Sequence, residues 1–194
     1  MERPDNLTDE ELVLHAQKGS EAHFNALVDR YTQMVYRLAY GINGRSQDAE
    51  DIVQETFLKV FIHLDRFSPS KGTFKSWLLT IARNQSINVF SLLKRNVLRV
   101  FNEGDPDQTS LQYSENPLTE HQQDVESLLS AKQEFFKVKQ AIDELPERQK
   151  TALMLKAQEN MSYEEIAAVL KTSVSSVESL IFRARRRLLE IIGK

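Results

Sequence analysis

Met161-Ser162-Tyr163-Glu164-Glu165-Ile166-Ala167 and, after a short break, Val177-Glu178-Ser179-Leu180-Ile181-Phe182-Arg183-Ala184-Arg185-Arg186-Arg187 make up the stretch whose reading decides the fold. Ser162 and Glu165 have the Ser-x-x-Glu spacing of a capping box, in which hydroxyl and carboxylate each satisfy an orphan backbone N–H at a helix start. Ile166, Ala167 and Leu170 then form one apolar stripe, and the small Ala167 lets a second helix come close. Lys171-Thr172-Ser173 interrupts the pattern. Ser173 is a good N-cap for a following helix whose Val174, Val177, Ile181, Ala184 and Leu188 recur at alternating steps of three and four. The opposite stripe carries Ser175, Glu178, Ser179, Phe182, Arg183 and Arg186, which are hydrogen-bonding or cationic apart from one aromatic. Such a helix-turn-helix presents a face suited to the major groove. Taken alone, the pattern also fits a plain amphipathic pair whose arginine-rich end meets water and complements the helix dipole.

Composition narrows the alternatives. The 194 residues suffice for one large domain or two small ones, and 6 glycines and 5 prolines with few alternating apolar runs argue for a mostly helical chain. The absence of cysteine removes disulfides, thiolate zinc sites and cysteine nucleophiles together. The polar, acidic start and the lack of any long apolar run lead us to expect a soluble cytoplasmic protein. Net charge is only −3, but the signs are segregated. Between Lys71 and Arg99 the charges are Lys71, Lys75, Arg83, Lys94, Arg95 and Arg99, all basic. From Asn102 to Ala131 they are Glu103, Asp105, Asp107, Glu115, Glu120, Asp124 and Glu126, all acidic. Such asymmetry marks separate functional segments.

Thr8 and Glu11 form a first capping box, opening a helix that ends at Gly19. Ser20 is expected to cap a longer helix with Phe24, Leu27, Val28, Tyr31, Val35 and Leu38 on one face, ended by Gly41 and Gly44. Ser46 is expected to cap a third, with Ala49, Ile52, Val53, Val60, Phe61 and Leu64 buried and an acidic outer face. Phe67-Ser68-Pro69-Ser70-Lys71-Gly72 reads as a loop, followed by a fourth helix from about Thr73 to Leu98. The expected architecture is all-α: a helical bundle over 7–99, an acidic flexible linker over 100–117, and a second helical domain over 118–194 that turns at Leu145-Pro146 and ends in the helix-turn-helix.

With these blocks in order, the chain resembles the extracytoplasmic-function group of bacterial sigma factors, the small specificity subunits of RNA polymerase. The likeness rests on Phe24 to Tyr31, on Asp48-Ala49-Glu50-Asp51-Ile52-Val53-Gln54-Glu55-Thr56-Phe57, on Phe74 with Trp77-Leu78-Leu79-Thr80-Ile81-Ala82-Arg83-Asn84, on Leu145-Pro146-Glu147-Arg148, and on the C-terminal helix pair. It implies that the N-terminal domain is similar to the second sigma region and the C-terminal one to the fourth. It further implies that Asp48, Glu50, Asp51, Gln54 and Glu55 bind the clamp helices of the polymerase's largest catalytic subunit, with charge governing encounter rate and register. The minus-ten element would be read as single strand by Phe67, Lys71, Phe74, Trp77, Arg83, Asn84 and Asn88, with one flipped base entering a pocket under the loop before the fourth helix.

The minus-thirty-five duplex would be read by Ser175, Ser176, Glu178, Ser179, Phe182, Arg183 and Arg186. Two positions depart from the commonest pattern of the group: Lys171 where glycine is frequent, and Glu178 where arginine or lysine is frequent. A carboxylate there favours a cytosine amino group and repels phosphate, which shifts the expected contacts to Arg183 and Arg186. The resemblance also implies an anti-sigma partner, which in this group often holds the factor at the inner face of the membrane.

An enzyme is not expected. No nucleophile has a partnered base, no glycine-rich phosphate loop is present, and His15, His23, His63 and His121 are too scattered for a metal set. No cofactor, metal or small-molecule substrate is therefore expected. The rival reading is a helix-turn-helix activator whose N-terminal bundle senses a ligand or dimerises. A decoy that binds polymerase without initiating would carry the same residues as a working factor.

Overall fold

The computed structural model describes residues 4–103 and 137–192, and every regular element among them is helical. Helices α1 (Asp9–Gln17), α2 (Glu21–Asn43), α3 (Ser46–His63) and α4 (Phe74–Glu103) come first. A helical run over 137–143 (α5), then α6 (Glu147–Ala157), α7 (Tyr163–Leu170) and α8 (Val174–Ile192) follow. Short 3₁₀ turns at Leu64–Arg66 and Pro69–Lys71 bridge α3 to α4. α4 runs to Glu103, past the expected start of the linker at residue 100, and 104–136 lie outside the described residues.

Both expected capping boxes are formed. At α1 the Thr8 hydroxyl accepts from Glu11 N at 3.3 Å while the Glu11 carboxylate accepts from Thr8 N at 2.8 Å. The bond from Thr8 N, and a second that the Thr8 hydroxyl donates to the same carboxylate at 3.0 Å, hold the Glu11 carboxyl below its ordinary value. At α7 Ser162 N donates to Glu165 at 2.8 Å and Glu165 N to Ser162 at 3.1 Å. Ser173 caps α8 by accepting from Ser176 N at 3.2 Å. Lys171 closes α7 in the left-handed region, φ 49°, which is why glycine would suit that position.

Three boundaries differ from expectation. Ser20 stands at the N-cap of α2, but its hydroxyl pairs with His23 Nδ1 at 2.6 Å and makes no backbone cap. Arg45, not Ser46, is the N-cap of α3; Ser46 lies inside the first turn and donates to Glu50 at 3.1 Å. Gly41 does not end α2, which continues to Asn43 and closes at Gly44 with φ 76°. A glycine stands at position 41 inside the helix because the space beside it is taken: an added Cβ would lie 1.7 Å from the Met154 Cε of α6.

The first four helices bury Leu12, Leu27, Val35, Leu38, Ile52, Val60, Phe74, Leu78, Leu79 and Ala82. α1 is tied down by Asp9, which pairs with Arg30 at 2.6 Å and accepts from the Tyr31 hydroxyl. Burial, and then the bond to Asp9, push that phenol well above the ordinary tyrosine value. In the C-terminal helices Leu155, Met161, Ile166, Val169, Val177, Ile181 and Ala184 form the core. The two sets meet: α2 packs on α6 and α4 on α7, so one apolar cluster runs through both.

The left-handed Lys171 gives a direct test. Lys171→Gly is expected to raise stability by about 0.5–1 kcal/mol, since relief of a 1–2 kcal/mol backbone penalty outweighs the extra entropy of glycine. Urea unfolding should show a higher midpoint at unchanged slope; a lower midpoint would mean that Lys171 contributes more than it strains.

Candidate polymerase and nucleic-acid interfaces

Three surfaces carry the residues singled out in the sequence. The first is the outer face of α3. Ile52, Thr56 and Val60 fix its inner side in the core, which leaves Glu50, Asp51, Gln54 and Glu55 exposed. Asp48 does not join them: its side chain is 16% exposed and faces Arg45 at 3.7 Å. Glu55 has only a partly exposed i,i+4 partner, Lys59 at 3.4 Å, a pair of small energetic weight.

Phe61, expected in the core, is 61% exposed, and Leu58 and Ile62 are 53% and 58% exposed. Phe57 and Thr56 occupy the buried positions instead. Phe61 touches Phe24 edge-on, ring centroids 5.2 Å apart, and otherwise meets solvent. The exposed face of α3 is therefore acidic in its first half and apolar in its second. A continuous apolar stripe on an exposed helix marks a docking surface more strongly than charge does.

The second surface lies at the start of α4. Gln17 Nε2 donates to Leu64 O at 2.8 Å and Phe67 O at 3.2 Å, pinning the incoming loop to α1. Gly72, φ 135°, lets the chain turn into α4, and Thr73 caps it by accepting from Ser76 N at 3.2 Å. Phe67 and Phe74 are 7% and 0% exposed, so they back the site and do not line it, contrary to expectation. They hold Trp77 half-buried, with centroids 5.4 and 6.0 Å from its ring. Lys71, Asn84 and Asn88 are exposed, and neither asparagine amide has a hydrogen-bond partner among the described residues. Lys94 and Arg95 fall outside the described side chains.

Arg83, placed with this group by the sequence, is already engaged. Its Nε and Nη2 donate to both carboxylate oxygens of Glu147 on α6 at 3.0 Å. No local pattern could have revealed that pairing, which spans 64 positions.

The third surface is the outer face of α8. Val177, Ile181 and Ala184 point inward. Ser175, Glu178, Ser179, Phe182, Arg183 and Arg186 are exposed and Ser176 half-buried, so all but Ser176 are free to face a ligand. Arg183 Nε is steadied by Ser179 O at 3.1 Å, and Arg186 by Glu190 at 2.9 Å. Leu189, 73% exposed, extends the stripe beside Phe182, 67% exposed. Among the described residues no group of histidines and carboxylates is arranged to hold a metal, and no helix is long and apolar enough to cross a membrane.

The structure thus joins a helix-turn-helix with an accessible polar and cationic face to a bundle with an exposed acidic and apolar helix face, the class of architecture seen in DNA-binding proteins. Comparison with known proteins makes the class specific. The family model for sigma-70 region 2 matches residues 27–96, and that for sigma-70 region 4 matches 135–188. The sigma-E factor of Haemophilus influenzae, an ECF RNA polymerase sigma factor, is 35% identical over 188 residues, covering 95% of each chain. That of Escherichia coli is 34% identical over 191 residues, covering 95% of this chain and 94% of its own. SigE of Mycolicibacterium smegmatis is 35% identical over 171 residues, and the match spans 62% of that longer protein. The solved complex of CnrH with the cytosolic domain of CnrY superposes with a TM-score of 0.67 at 26% identity, over 95% of this chain and 97% of CnrH. The chain belongs to the extracytoplasmic-function RNA polymerase sigma factors, which direct core polymerase to specific promoters in transcription initiation.

The reassignment within α3 has a measurable consequence. Phe61→Ser should change folding stability by no more than about 0.5 kcal/mol, as at other exposed positions. Phe57→Ala, about one turn away but buried, should cost about 3–5 kcal/mol. Equal losses in denaturant titrations would return Phe61 to the core.

Proposed function

We propose that Glu50, Asp51, Gln54 and Glu55, extended by Leu58, Phe61 and Ile62, form the surface that docks on the clamp helices of the polymerase's largest subunit. Acidic residues there steer the encounter with a basic partner, while the apolar half supplies the desolvated contact that sets lifetime. Asp48 positions the start of α3 through Arg45. The working units are an N-terminal one over 7–99 and a C-terminal one over 118–194.

The minus-ten element is read at the start of α4. Trp77 offers a half-buried stacking surface backed by Phe67 and Phe74, and Asn84 and Asn88 offer unpaired amides for base edges. Lys71 and Arg83 supply cations for the backbone. Extruding a base costs a few kcal/mol, which stacking and hydrogen bonding in such a pocket offset. The minus-thirty-five duplex is read by α8. Arg183 and Arg186 meet guanine edges or phosphates, Glu178 selects a cytosine amino group, and Ser175, Ser176 and Ser179 position the backbone.

The observation that carries this reading is the coexistence on one chain of an exposed polar and cationic face on α8 and of two asparagines on α4 without hydrogen-bond partners among the described residues. A duplex-binding activator needs the first and has no use for the second. The chain works in the cytoplasm without cofactor, metal or catalytic step of its own. CnrH was solved with the cytosolic domain of CnrY, and RpoE of Bartonella quintana with the anti-sigma factor NepR. An anti-sigma partner, with sequestration at the inner face of a membrane where that partner is membrane-borne, is part of the proposal.

Transcription in vitro with purified core polymerase on fragmented genomic DNA tests the whole reading. Discrete new RNA starts sharing two upstream elements are expected; binding to core without starts would indicate a decoy, and no binding to core would restore the duplex-binding activator. On the promoters so found, Asn84→Ala should impair strand opening while sparing binding to core. Arg183→Ala should weaken minus-thirty-five recognition by about 1–3 kcal/mol and relax preference at one base pair. An unchanged sequence preference would refute the base contact.

A further inference from the structure

The loop that enters α4 is anchored at its two ends by different means. At its exit the anchor is local: Thr73 accepts from Ser76 N at 3.2 Å, and its hydroxyl donates to Ser76 Oγ at 3.0 Å. Within the loop Lys71 N donates to Ser68 O at 3.0 Å and Gly72 N to Pro69 O at 3.3 Å, so 68–72 hold together as one short turn. At its entrance the anchor is distant. Gln17, the last residue of α1, directs its amide nitrogen to carbonyls 47 and 50 positions away, Leu64 O at 2.8 Å and Phe67 O at 3.2 Å. Both neighbours are acceptors, so only Nε2, with its two hydrogens, can face them. The Leu64 carbonyl also accepts from Phe67 N at 3.1 Å, whereas the Phe67 carbonyl has no other partner among the described residues.

What leans on Phe67 gives that bond its importance. The Phe67 ring is 7% exposed and lies edge-on to Phe74 at 5.7 Å and tilted against Trp77 at 5.4 Å. Helix α1 is itself fixed. Leu12 and Val13 are buried, Arg30 donates to Asp9 at 2.6 Å and to Leu7 O at 2.9 Å, and the Tyr31 hydroxyl bonds Asp9. The Tyr31 ring in turn touches Phe74, centroids 5.7 Å apart. α1 is thus a strut that ends on the same aromatic group twice, through Asp9 and Tyr31 at one end and through Gln17 and Phe67 at the other. None of the proposed nucleic-acid contacts lies on it.

We propose that Gln17 is a positioning residue for minus-ten recognition, which sets the loop entrance relative to Trp77 and thereby which base the site accepts; the proposal rests on the minus-ten reading of α4 above. Stacking on an aromatic ring tolerates any base, because every base has a π-face. Hydrogen bonds to base edges do not, because they weaken steeply with misalignment. A site whose wall can shift keeps its stacking and loses its discrimination. Gln17 therefore acts on selectivity more than on affinity, and leaves the α3 face and α8 untouched. Its side chain is exposed, so replacing it leaves the core of the bundle intact.

The full-length chain bound to core polymerase is offered short fluorescent single strands that carry the minus-ten sequence of a promoter it initiates from, each position substituted in turn. Gln17→Met keeps the length and removes both donors; Gln17→Lys keeps the length and restores donors. For Gln17→Met the ratio of cognate to substituted affinity should fall roughly three- to tenfold at the position read most strongly, the effect of losing a hydrogen-bonded anchor. Affinity for core polymerase and for a minus-thirty-five duplex should not change. Gln17→Lys should recover most of the lost ratio. An unchanged ratio in Gln17→Met, an equal loss in both variants, or a fall in affinity shared by all strands, core and duplex overturns the positioning role. Should the natural chain fail to distinguish its cognate strand from a scrambled one, the minus-ten reading falls and the role of Gln17 with it. A natural chain that distinguishes them, with Gln17→Met doing so equally well, removes the role of Gln17 alone.

Discussion

Helix α4 has to be buried along one side and chemically available along another, and the rest of the structure is arranged around that demand. Its Phe74, Leu78, Leu79, Ala82 and Ser86 are almost fully excluded from water, packed against α2, α3 and α7. Ser86 satisfies its hydroxyl on Ala82 O at 2.9 Å and Thr80 on Ser76 O at 2.7 Å, so the polar residues on or near that side need no solvent. The remaining face can then carry Asn84 and Asn88, which weaken a helix intrinsically and persist only where packing elsewhere holds it. The aromatic group of Tyr31, Phe67, Phe74 and Trp77 fixes where that face begins. A loop pinned by Gln17 then sits beside it at a defined height.

The helix-turn-helix obeys a different logic, because its geometry is written in local chemistry. Caps at Ser162 and Ser173 set two helix starts eleven residues apart, and the left-handed Lys171 sets the turn between them. Little tertiary support is needed to define such a unit. Accordingly, α8 can give almost its whole outer face to solvent, with Phe182 and Leu189 exposed beside the arginines. The exposed apolar residues are costly for solubility and become favourable only when a partner removes them from water.

That contrast explains what could be read from residues alone. Local signals suffice for the capping boxes at Thr8 and Ser162, the cap at Ser173, the helix end at Gly44 and the exposed stripe of α8. They failed wherever a distant residue decides. Gly41 looks like a terminator in sequence but is a socket for Met154, more than a hundred positions away. Phe61 looks like core because Phe57, Leu58, Val60, Phe61 and Ile62 surround α3 with apolar groups, and a period of 3.6 cannot choose among them. Only the packing of α3 on α2 and α4, which leaves Phe57 and Val60 buried and Phe61 exposed, decides the matter. Asp48 belongs with its acidic neighbours in sequence, yet its side chain is 16% exposed and faces Arg45.

Charge segregation has a physical consequence beyond solubility. A chain of net charge −3 that must bind a polyanion has to keep its cations from being wasted on its own acids. The described structure handles the two classes differently. Arg183 and Arg186 are held loosely, one by a backbone carbonyl and one by an exposed i,i+4 glutamate, pairs that cost little to leave. Arg83 and Arg37 are held by bidentate carboxylates on the other unit, where leaving requires that a replacement of equal geometry be supplied. Pairing of that kind commits Arg37 and Arg83 to fixing how the two units meet, and leaves the loosely held arginines of α8 as the cations most available to a polyanion.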